Sequence, residues 1–363
     1  MRTDVVVDEW PTPEHAGEVG WDALTGAEDF FLTPPWMRVL HDSSGAWMRY
    51  LTARVGGELL AGLPLVLATR ESPWSLGRTD LLIAHCAAEG MAGAAEVAAA
   101  FGDLGRLMPS MMLGGRHLGR TRLLLGPGAG EDTAHLVVER AERTAAEAGC
   151  RSLCFPYVDS RDTLQRKVLA ERGYTSHVSG EFATLTLPGR DFTDYAMSLP
   201  APRSRRVRSE RRRVEACGAE ITLAPLDPAD IPRLAELETQ LFAKYGMAGW
   251  DPRRSEAVLA AAHRQLGDRA LVSKAVLDGE IAGFGLILAH GEDWFAHRAG
   301  FDYAAQARAK LPLYYELLYY TVADRAPAAG VRRVHYGIGS TQAKASRGCA
   351  LSRQYLYVKE LAA

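Results

Sequence analysis

Leu271-Val-Ser-Lys-Ala-Val-Leu-Asp-Gly-Glu-Ile-Ala-Gly-Phe-Gly-Leu-Ile-Leu-Ala289 decides the fold of this chain. It reads as an apolar run, a Gly-Glu turn and a second apolar run, the pattern of a hairpin closed by a tight turn. The chain makes the same statement earlier, as Tyr50-Leu-Thr-Ala-Arg-Val-Gly-Gly-Glu-Leu-Leu-Ala-Gly-Leu-Pro-Leu-Val-Leu-Ala68. A second pair follows in the same order. Gly149-Cys-Arg-Ser-Leu-Cys-Phe-Pro-Tyr157 matches Gly330-Val-Arg-Arg-Val-His-Tyr-Gly-Ile338, each after an alanine-rich helical stretch, Ala134 to Ala148 and Tyr314 to Ala329. Glycine is the usual stop between such a helix and the next strand. The order helix, hairpin, longer strand, helix, strand, helix, strand is thus given twice. It predicts an α/β fold with a mixed, α+β-type sheet, repeated in two tandem domains, and argues against a doubly wound dinucleotide fold.

Pro188, Gly189, Pro200 and Pro202 interrupt the pattern between Leu187 and Pro202, so the expected domains are 1–190 and 191–363. The first carries an insertion near 70–120, because 92 positions separate Gly57 from Gly149 and only 51 separate Gly279 from Gly330. Its Met- and Gly-rich part, Leu107 to Arg120, reads as a lid or flexible loop. A length of 363 residues suits two domains, and 47% hydrophobic with 24% charged residues is the composition of a globular protein. No stretch approaches the roughly 18 uninterrupted apolar residues of a membrane span, so no membrane partner is expected. Asp4, Asp8 and Glu9 stand where a secretory signal needs its apolar core, which makes a cytoplasmic location the simplest expectation. Cys86, Cys150, Cys154, Cys217 and Cys349 are odd in number and scattered, so neither a disulfide framework nor a zinc or other metal site is expected.

Charge is concentrated at one place. Arg203-Ser-Arg-Arg-Val-Arg-Ser-Glu-Arg-Arg-Arg213 holds seven arginines and one glutamate, a net +6 in a chain whose formal charge is −2. As a helix it would place Arg205, Arg208 and Arg212 on one stripe, with Val207 and Val214 opposite. Arginine's planar donor fork suits phosphate, so Arg203, Arg205, Arg206, Arg208 and Arg212 are candidate contacts to tRNA or another phosphate. The competing reading is a solvated helix after the linker.

Trp294-Phe-Ala-His-Arg-Ala-Gly-Phe-Asp-Tyr303, Leu311-Pro-Leu-Tyr-Tyr-Glu-Leu-Leu-Tyr-Tyr320 and Tyr336-Gly-Ile-Gly-Ser-Thr-Gln-Ala-Lys-Ala-Ser-Arg-Gly-Cys-Ala350, closed by Gln354 to Lys359, resemble the second half of tandem GNAT-fold acyltransferases of the FemABX-like class. The resemblance implies two GNAT-like domains and one of two donors. Ordinary GNAT enzymes take acyl-coenzyme A, with its pyrophosphate on a Gly-rich turn at a helix N-terminus. Fem-type enzymes take an aminoacyl group from charged tRNA. The corresponding turn here, Gln306-Ala-Arg-Ala-Lys-Leu-Pro-Leu313, has no glycine, which counts against coenzyme A. Gly126-Pro-Gly-Ala-Gly130 offers the first half an anion nest or a plain strand-to-helix turn.

The expected reaction is amide formation: an aminoacyl group passes from aminoacyl-tRNA, a substrate rather than a resident cofactor, to the amine of a small-molecule or peptide-like acceptor, as in specialised metabolism. Acyl-coenzyme A-dependent N-acetylation and a non-catalytic RNA-binding module are the alternatives. Lys344 matches the Fem-type loop that carries a functional lysine, here preceded by Ala343, and is a candidate oxyanion stabiliser. Glu316, alone among apolar and aromatic neighbours, is a candidate base, or else the partner of an arginine. His297 is a candidate proton relay at the end of the strand that splays in GNAT folds. Arg298, Tyr315, His335, Tyr336 and Arg347 are candidate substrate contacts in the second half, and Asp159 and Tyr157 in the first.

Overall fold

The computed structural model describes residues 5–115, 119–247, 249–309 and 311–362. Its strands are β1 (Val6–Trp10), β2 (Met48–Val55), β3 (Glu58–Ala68), β4 (Ser110–Leu113), β5 (Leu124–Leu125), β6 (Ser152–Asp159), β7 (Thr175–Thr186), β8 (Glu220–Pro225), β9 (Ala270–Leu277), β10 (Glu280–His290), β11 (Asp293–Phe301), β12 (Arg333–Gly337) and β13 (Ala350–Glu360). Both hairpins fall where the sequence places them. Gly56 and Gly57 (φ 57° and 91°) turn β2 into β3, and Asp278 and Gly279 (φ 52° and 83°) turn β9 into β10. Two consecutive left-handed residues are what a two-residue hairpin turn of matching twist requires.

Two compact units result. In the first, the strand order is β1-β2-β3-β4-β6-β13, antiparallel except for the parallel pair β4 and β6. In the second it is β8-β9-β10-β11-β12, followed by Ala183–Thr186 of β7, antiparallel except for the parallel pair β11 and β12. The repeat read from sequence is therefore a repeat of topology.

The first core forms where the Glu131–Glu147 helix lays Ala134, Val137, Val138 and Ala141 against Leu153, Phe155 and Val158 of β6. That i, i+3, i+4, i+7 spacing is the apolar stripe of a helix on a sheet. In the second unit, Trp294 of β11 and Val334 and Tyr336 of β12 share a core with Leu317, Tyr319 and Tyr320.

Two expectations change. The lid reading of Leu107 to Arg120 fails over its first half. Leu107, Met111 and Leu113 are fully buried, and Ser110–Leu113 is β4, paired on both sides. The methionines there are interior filling, for which their flexible, polarizable chains are well suited. Arg116, His117 and Leu118 of that segment lie outside the described residues, as do Asp4 of the N-terminal reading and Lys310 of the glycine-free turn. The surplus length is spent on the Thr79–Ala88 and Ala94–Phe101 helices. The second change concerns the division at 190. The first unit takes the chain up to His41, Gly45–Phe182 and the segment from Ser352 onward, while the second takes Ala183–Leu351 with Asp42–Ser44. Linear order places β13 with the second half, yet Gln354–Glu360 pairs with β6 in the first unit, and Ala183–Thr186 of β7 pairs with β12 in the second. The second half thus gives most of its last strand to the first unit's ladder, and the first half gives the end of its own last strand to the second.

Candidate active site

β11 and β12 run side by side for three rungs only, Asp293 to Phe295 against Arg333 to His335, and then β11 continues to Phe301. A parallel ladder that stops midway opens a wedge between its strands. At that point β11 carries a bulge. Arg298 faces Leu286 of β10 and Ala296 faces Ile287, which leaves His297 with no opposite residue. Bulges re-aim side chains and concentrate beside active sites. His297 keeps part of its surface open, and desolvation, followed by the charge of Arg298, holds its pKa well below the ordinary 6.5. It is a neutral imidazole at neutral pH. Arg298 is fixed by a 2.6 Å hydrogen bond from Nη1 to Oε2 of the buried Glu238, on the Ile231–Lys244 helix. That helix comes so close because residue 300 is glycine: a Cβ there would stand 2.4 Å from the Glu238 nitrogen.

On the other strand, β12 ends in a tight loop. Gly337, Gly339 and Ser340 all have positive φ (64°, 80° and 49°), and the Thr341–Ala345 helical turn follows. Lys344 reaches back from that turn. Its ammonium donates to the carbonyls of Tyr336 (2.6 Å), Gly337 (3.1 Å) and Ile338 (2.7 Å). An ammonium has three donors, and all three are used within the loop. Burial lowers the Lys344 pKa to about 8. The lysine therefore shapes the end of β12, with no donor left over in this arrangement for an oxyanion.

Arg347, three residues on, is 1% exposed and does not face a phosphate. Its Nη2 donates to Glu210 Oε2 at 2.8 Å, its Nε to the Tyr320 hydroxyl at 3.1 Å, and its guanidinium lies 3.7 Å from the Tyr315 ring centre. Tyr320 donates to the same Glu210 oxygen. Glu210 is the single acid of the arginine run. Desolvation pushes its pKa up, yet the hydrogen bonds from Tyr320 and Arg206 and the charge of Arg347 leave it below the ordinary value. Tyr336 is likewise structural: its ring stacks 4.2 Å from that of Tyr319 and its hydroxyl donates to the Leu318 carbonyl.

His335 lies at the last rung of the short ladder, with Nε2 2.7 Å from Asp293 Oδ1 and Nδ1 3.1 Å from Thr184 Oγ1. Arg333 grips the same carboxylate with Nε at 2.7 Å and Nη2 at 3.0 Å. Burial alone would raise the Asp293 pKa, but His335 and Arg333 hold it below the usual value. The imidazole is locked between a carboxylate and a hydroxyl.

Glu316 belongs to a different place. Glu316–Tyr320 is a π-helical turn between the α-helical Leu313–Tyr315 and Thr321–Arg325, and such turns often mark functional positions. The wider turn sets the Thr321 amide on the Glu316 carbonyl and the Thr321 hydroxyl 3.1 Å from Glu316 Oε1. Oε2 is buried with no hydrogen-bond partner. Desolvation raises the pKa to about 7, against a weak lowering by Arg211, whose Nε is 3.9 Å away. Glu316 lines a cavity with Trp294, Ile221, Leu223 and Leu271, and none of His297, Arg298, Tyr336 or Lys344 lines it.

The remaining candidates separate as well. Asp159 and Tyr157 lie in the first unit. Burial would raise the Asp159 pKa, but hydrogen bonds from Arg161, Gln354 and Ser352 hold it well below the usual carboxylate range. Tyr157 is an interior residue of β6, 1% exposed, with its pKa raised by burial. Gly126–Gly130 opens onto a cavity that Glu58, Glu131 and Asp132 also line, a poor setting for a pyrophosphate and an ordinary strand-to-helix turn. Glu131, His135 and Glu171 bring ligand atoms within 4.8 Å of one another, but the Lys167 ammonium lies 2.7 Å from Glu131 and already supplies the positive charge.

After β11 the chain forms the Tyr303–Ala309 helix in place of a Gly-rich turn. Asp302 accepts from the Ala305 amide at 2.8 Å, so a carboxylate already occupies that helix start and its pKa is lowered there. The Ala201–Ala216 helix buries Ser204, Val207, Glu210 and Val214 and leaves Arg205, Arg208 and Arg212 exposed. Arg206 pairs with Glu210, Arg211 pairs with Asp324, and Arg203 is half-buried. Among the described residues, Arg205, Arg208 and Arg212 have no ion pair.

With this geometry in place, comparison with known proteins is informative. Residues 202–345 match the acetyltransferase (GNAT) domain family. The whole chain is similar in structure to FemX, with a TM-score of 0.63 at 11% identity over 98% of this chain and 97% of the other. The chain is a tandem GNAT-fold protein. A tandem GNAT protein from the clavulanic acid biosynthesis pathway matches with a TM-score of 0.55, at 15% identity over 98% of both chains. The C-terminal domain of a putative lysylphosphatidylglycerol synthetase from Agrobacterium fabrum matches with 0.54, at 13% identity over 96% of this chain and 92% of that one. No curated protein sequence matches the chain significantly. In this tandem GNAT-fold protein, no helix among the described residues is long and apolar enough to cross a membrane.

Sequence reasoning missed Glu238, Asp293 and Asp302, and it missed the role of Glu210. A signal existed for two of them. Glu238 falls on the apolar stripe of its helix with Ile231, Leu234 and Leu241, and Glu210 is the lone acid among arginines. The others are ladder or loop neighbours that only the folded chain brings together.

Proposed function

We propose that this chain is an amide-forming N-acyltransferase that takes an aminoacyl group from aminoacyl-tRNA and passes it to the amine of a small-molecule or peptide-like acceptor in specialised metabolism. The observation that carries the donor is the stripe of Arg205, Arg208 and Arg212, exposed and without an ion pair among the described residues, on a helix anchored from behind by Glu210. The carboxylate of Asp302 at the helix start after β11 supports the same choice, since it repels a coenzyme A pyrophosphate. The acyl carbonyl sits in the wedge between β11 and β12. The acceptor amine attacks it, the ester C–O bond breaks toward the tRNA hydroxyl, and the proton leaves through neutral His297. Rate comes mainly from positioning. Arg298, fixed by Glu238, stands at the bulge beside the wedge, and the buried His335, fixed by Asp293, is a positioning residue at its closed end. Lys344, Arg347, Tyr315 and Tyr336 act as positioning residues that hold the loop after β12. The acceptor's identity and a cytoplasmic location belong to the same proposal.

Filter binding of deacylated tRNA across a salt series tests the donor. Removing one arginine–phosphate pair shallows the slope of log affinity against log salt by about 0.9 for duplex and about 0.7 for single strands. Replacing Arg205, Arg208 and Arg212 together by Ala should therefore shallow it by about two to three. Equal binding and slope in both proteins would remove the argument. The rival donor is favoured by one observation, that the matched clavulanic acid protein is described as "without AcCoA". Saturable coenzyme A binding in the micromolar range would select that rival.

A further inference from the structure

The cavity beside Glu316 has a volume of about 770 Å³, within the range of ligand pockets. One part of its wall is apolar, formed by Val214, Ile221, Leu223, Leu271 and Trp294, and the rest is charged. Two polar groups on its wall are unanswered, the Thr222 hydroxyl and one carboxyl oxygen of Glu316. Glu316 is 2% exposed, and its Oε2 is the only buried carboxyl oxygen among the described residues with no hydrogen-bond partner. Other buried acids have a cation against them, Glu210 with Arg347, Glu238 with Arg298 and Asp293 with Arg333. A buried acceptor without a donor costs about 1–3 kcal/mol, so a feature of this kind is informative where it borders a cavity.

The charges around it define what is missing. From the Ala201–Ala216 helix, Arg211 and Glu215 face Glu316, and from the Thr321–Arg325 helix, Asp324 and Arg325 line the same cavity, with the Thr321 hydroxyl on Oε1. Arg211 is divided between Asp324 at 3.1 Å, Glu215 at 3.6 Å and Glu316 Oε1 at 3.9 Å. Arg325 leans to Asp324 at 3.6 Å. With Glu316 ionised, three carboxylates meet two guanidiniums. The cavity lacks one positive charge, and Oε2 is where it would be received.

We propose that this cavity binds a primary ammonium group carried on an aromatic or aliphatic body, with the ammonium on Glu316 Oε2 and the body against Trp294, Ile221, Leu223 and Leu271. The site is separate from the wedge and needs no acyl transfer. An ammonium–carboxylate hydrogen bond in a partly desolvated place is of the stronger kind, and the body gains by leaving water.

The test is isothermal titration of the full chain with 2-phenylethylammonium and with 3-phenylpropan-1-ol as the neutral comparison, at pH 6 and pH 8. Saturable binding of the ammonium is expected, with the alcohol at least about tenfold weaker. Because the carboxylate is the binding form, affinity should rise about tenfold between the two pH values. Glu316→Gln keeps the shape, and it should lose at least about tenfold in affinity together with the pH dependence. Ile221→Trp narrows the cavity while sparing the carboxyl and should also weaken binding. Absence of saturable binding in the wild type at both pH values overturns the proposal. So does equal binding by Glu316→Gln, or by the alcohol.

Discussion

Glu316→Gln is predicted to change how stability depends on pH, by an amount the structure fixes. The Glu316 carboxyl ionises at about 7 in the folded chain against an ordinary 4.5, chiefly because burial penalises its charge. At roughly 1.4 kcal/mol per pH unit, holding that group ionised in the fold costs about 3 kcal/mol relative to the unfolded chain. The sign follows from the raised value. The folded form binds the proton more tightly, so the contribution is present in full below about 4.5 and is lost as pH rises to about 7. Glutamine keeps the Thr321 contact and has no proton to lose. Urea unfolding of both proteins at pH 4.5, 6, 7 and 8 should show wild type losing about 3 kcal/mol relative to the variant over that span, with unchanged denaturant slopes. A difference that is flat with pH, or that favours wild type as pH rises, would refute the claim that the Glu316 carboxyl is buried with Oε2 lacking a hydrogen-bond donor.

Three further outcomes are expected. Arg347→Met leaves Glu210 buried without its guanidinium and should cost about 3–5 kcal/mol in urea unfolding, whereas Arg205→Ala on the exposed stripe should stay within about 0.5 kcal/mol. Gly300→Ala would put a methyl 2.4 Å from the Glu238 nitrogen and 2.5 Å from the Leu237 carbonyl carbon, both backbone, so the melting temperature should fall by the equivalent of at least about 3 kcal/mol. Native thiol titration at pH 8 should label one cysteine quickly, Cys217, because the other four are buried, with burial raising Cys150 to about 11 and Cys86 and Cys349 to about 12. Rapid labelling of two or more would show that the cores open more readily than their packing implies.

The repeat was legible because its signals are local. A two-residue turn needs left-handed backbone, and Gly56, Gly57 and Gly279 announce it with no help from the rest of the chain. The arginine helix was legible for the same reason: Val207 and Val214 mark its buried side, and the stripe of Arg205, Arg208 and Arg212 follows from the helical period. The lid reading of Leu107 to Arg120 failed because composition does not reveal that the run lies between two other strands. Site roles were harder. Lys344 and Arg347 stand in the loop that the resemblance singled out, but a motif does not show where a side chain spends its donors. Three nearby carbonyls hold the lysine. Glu210, which holds the arginine, stands 137 positions earlier in the chain.

The sequence by itself determined two tandem units of the same strand order, an amphipathic arginine helix and a glycine-free helix start after β11, because turns, periodicity and missing glycines act within a few residues. Tertiary structure decided the rest. It gave the first unit most of the second half's last strand and the second unit the end of β7, turned the single glutamate of the arginine run into the anchor of Arg347, and set Glu316 apart from the wedge with one oxygen unanswered. Those outcomes depend on which strands share a ladder and which charges share a dry interior. Both are long-range pairings, and residue order alone does not encode their partners.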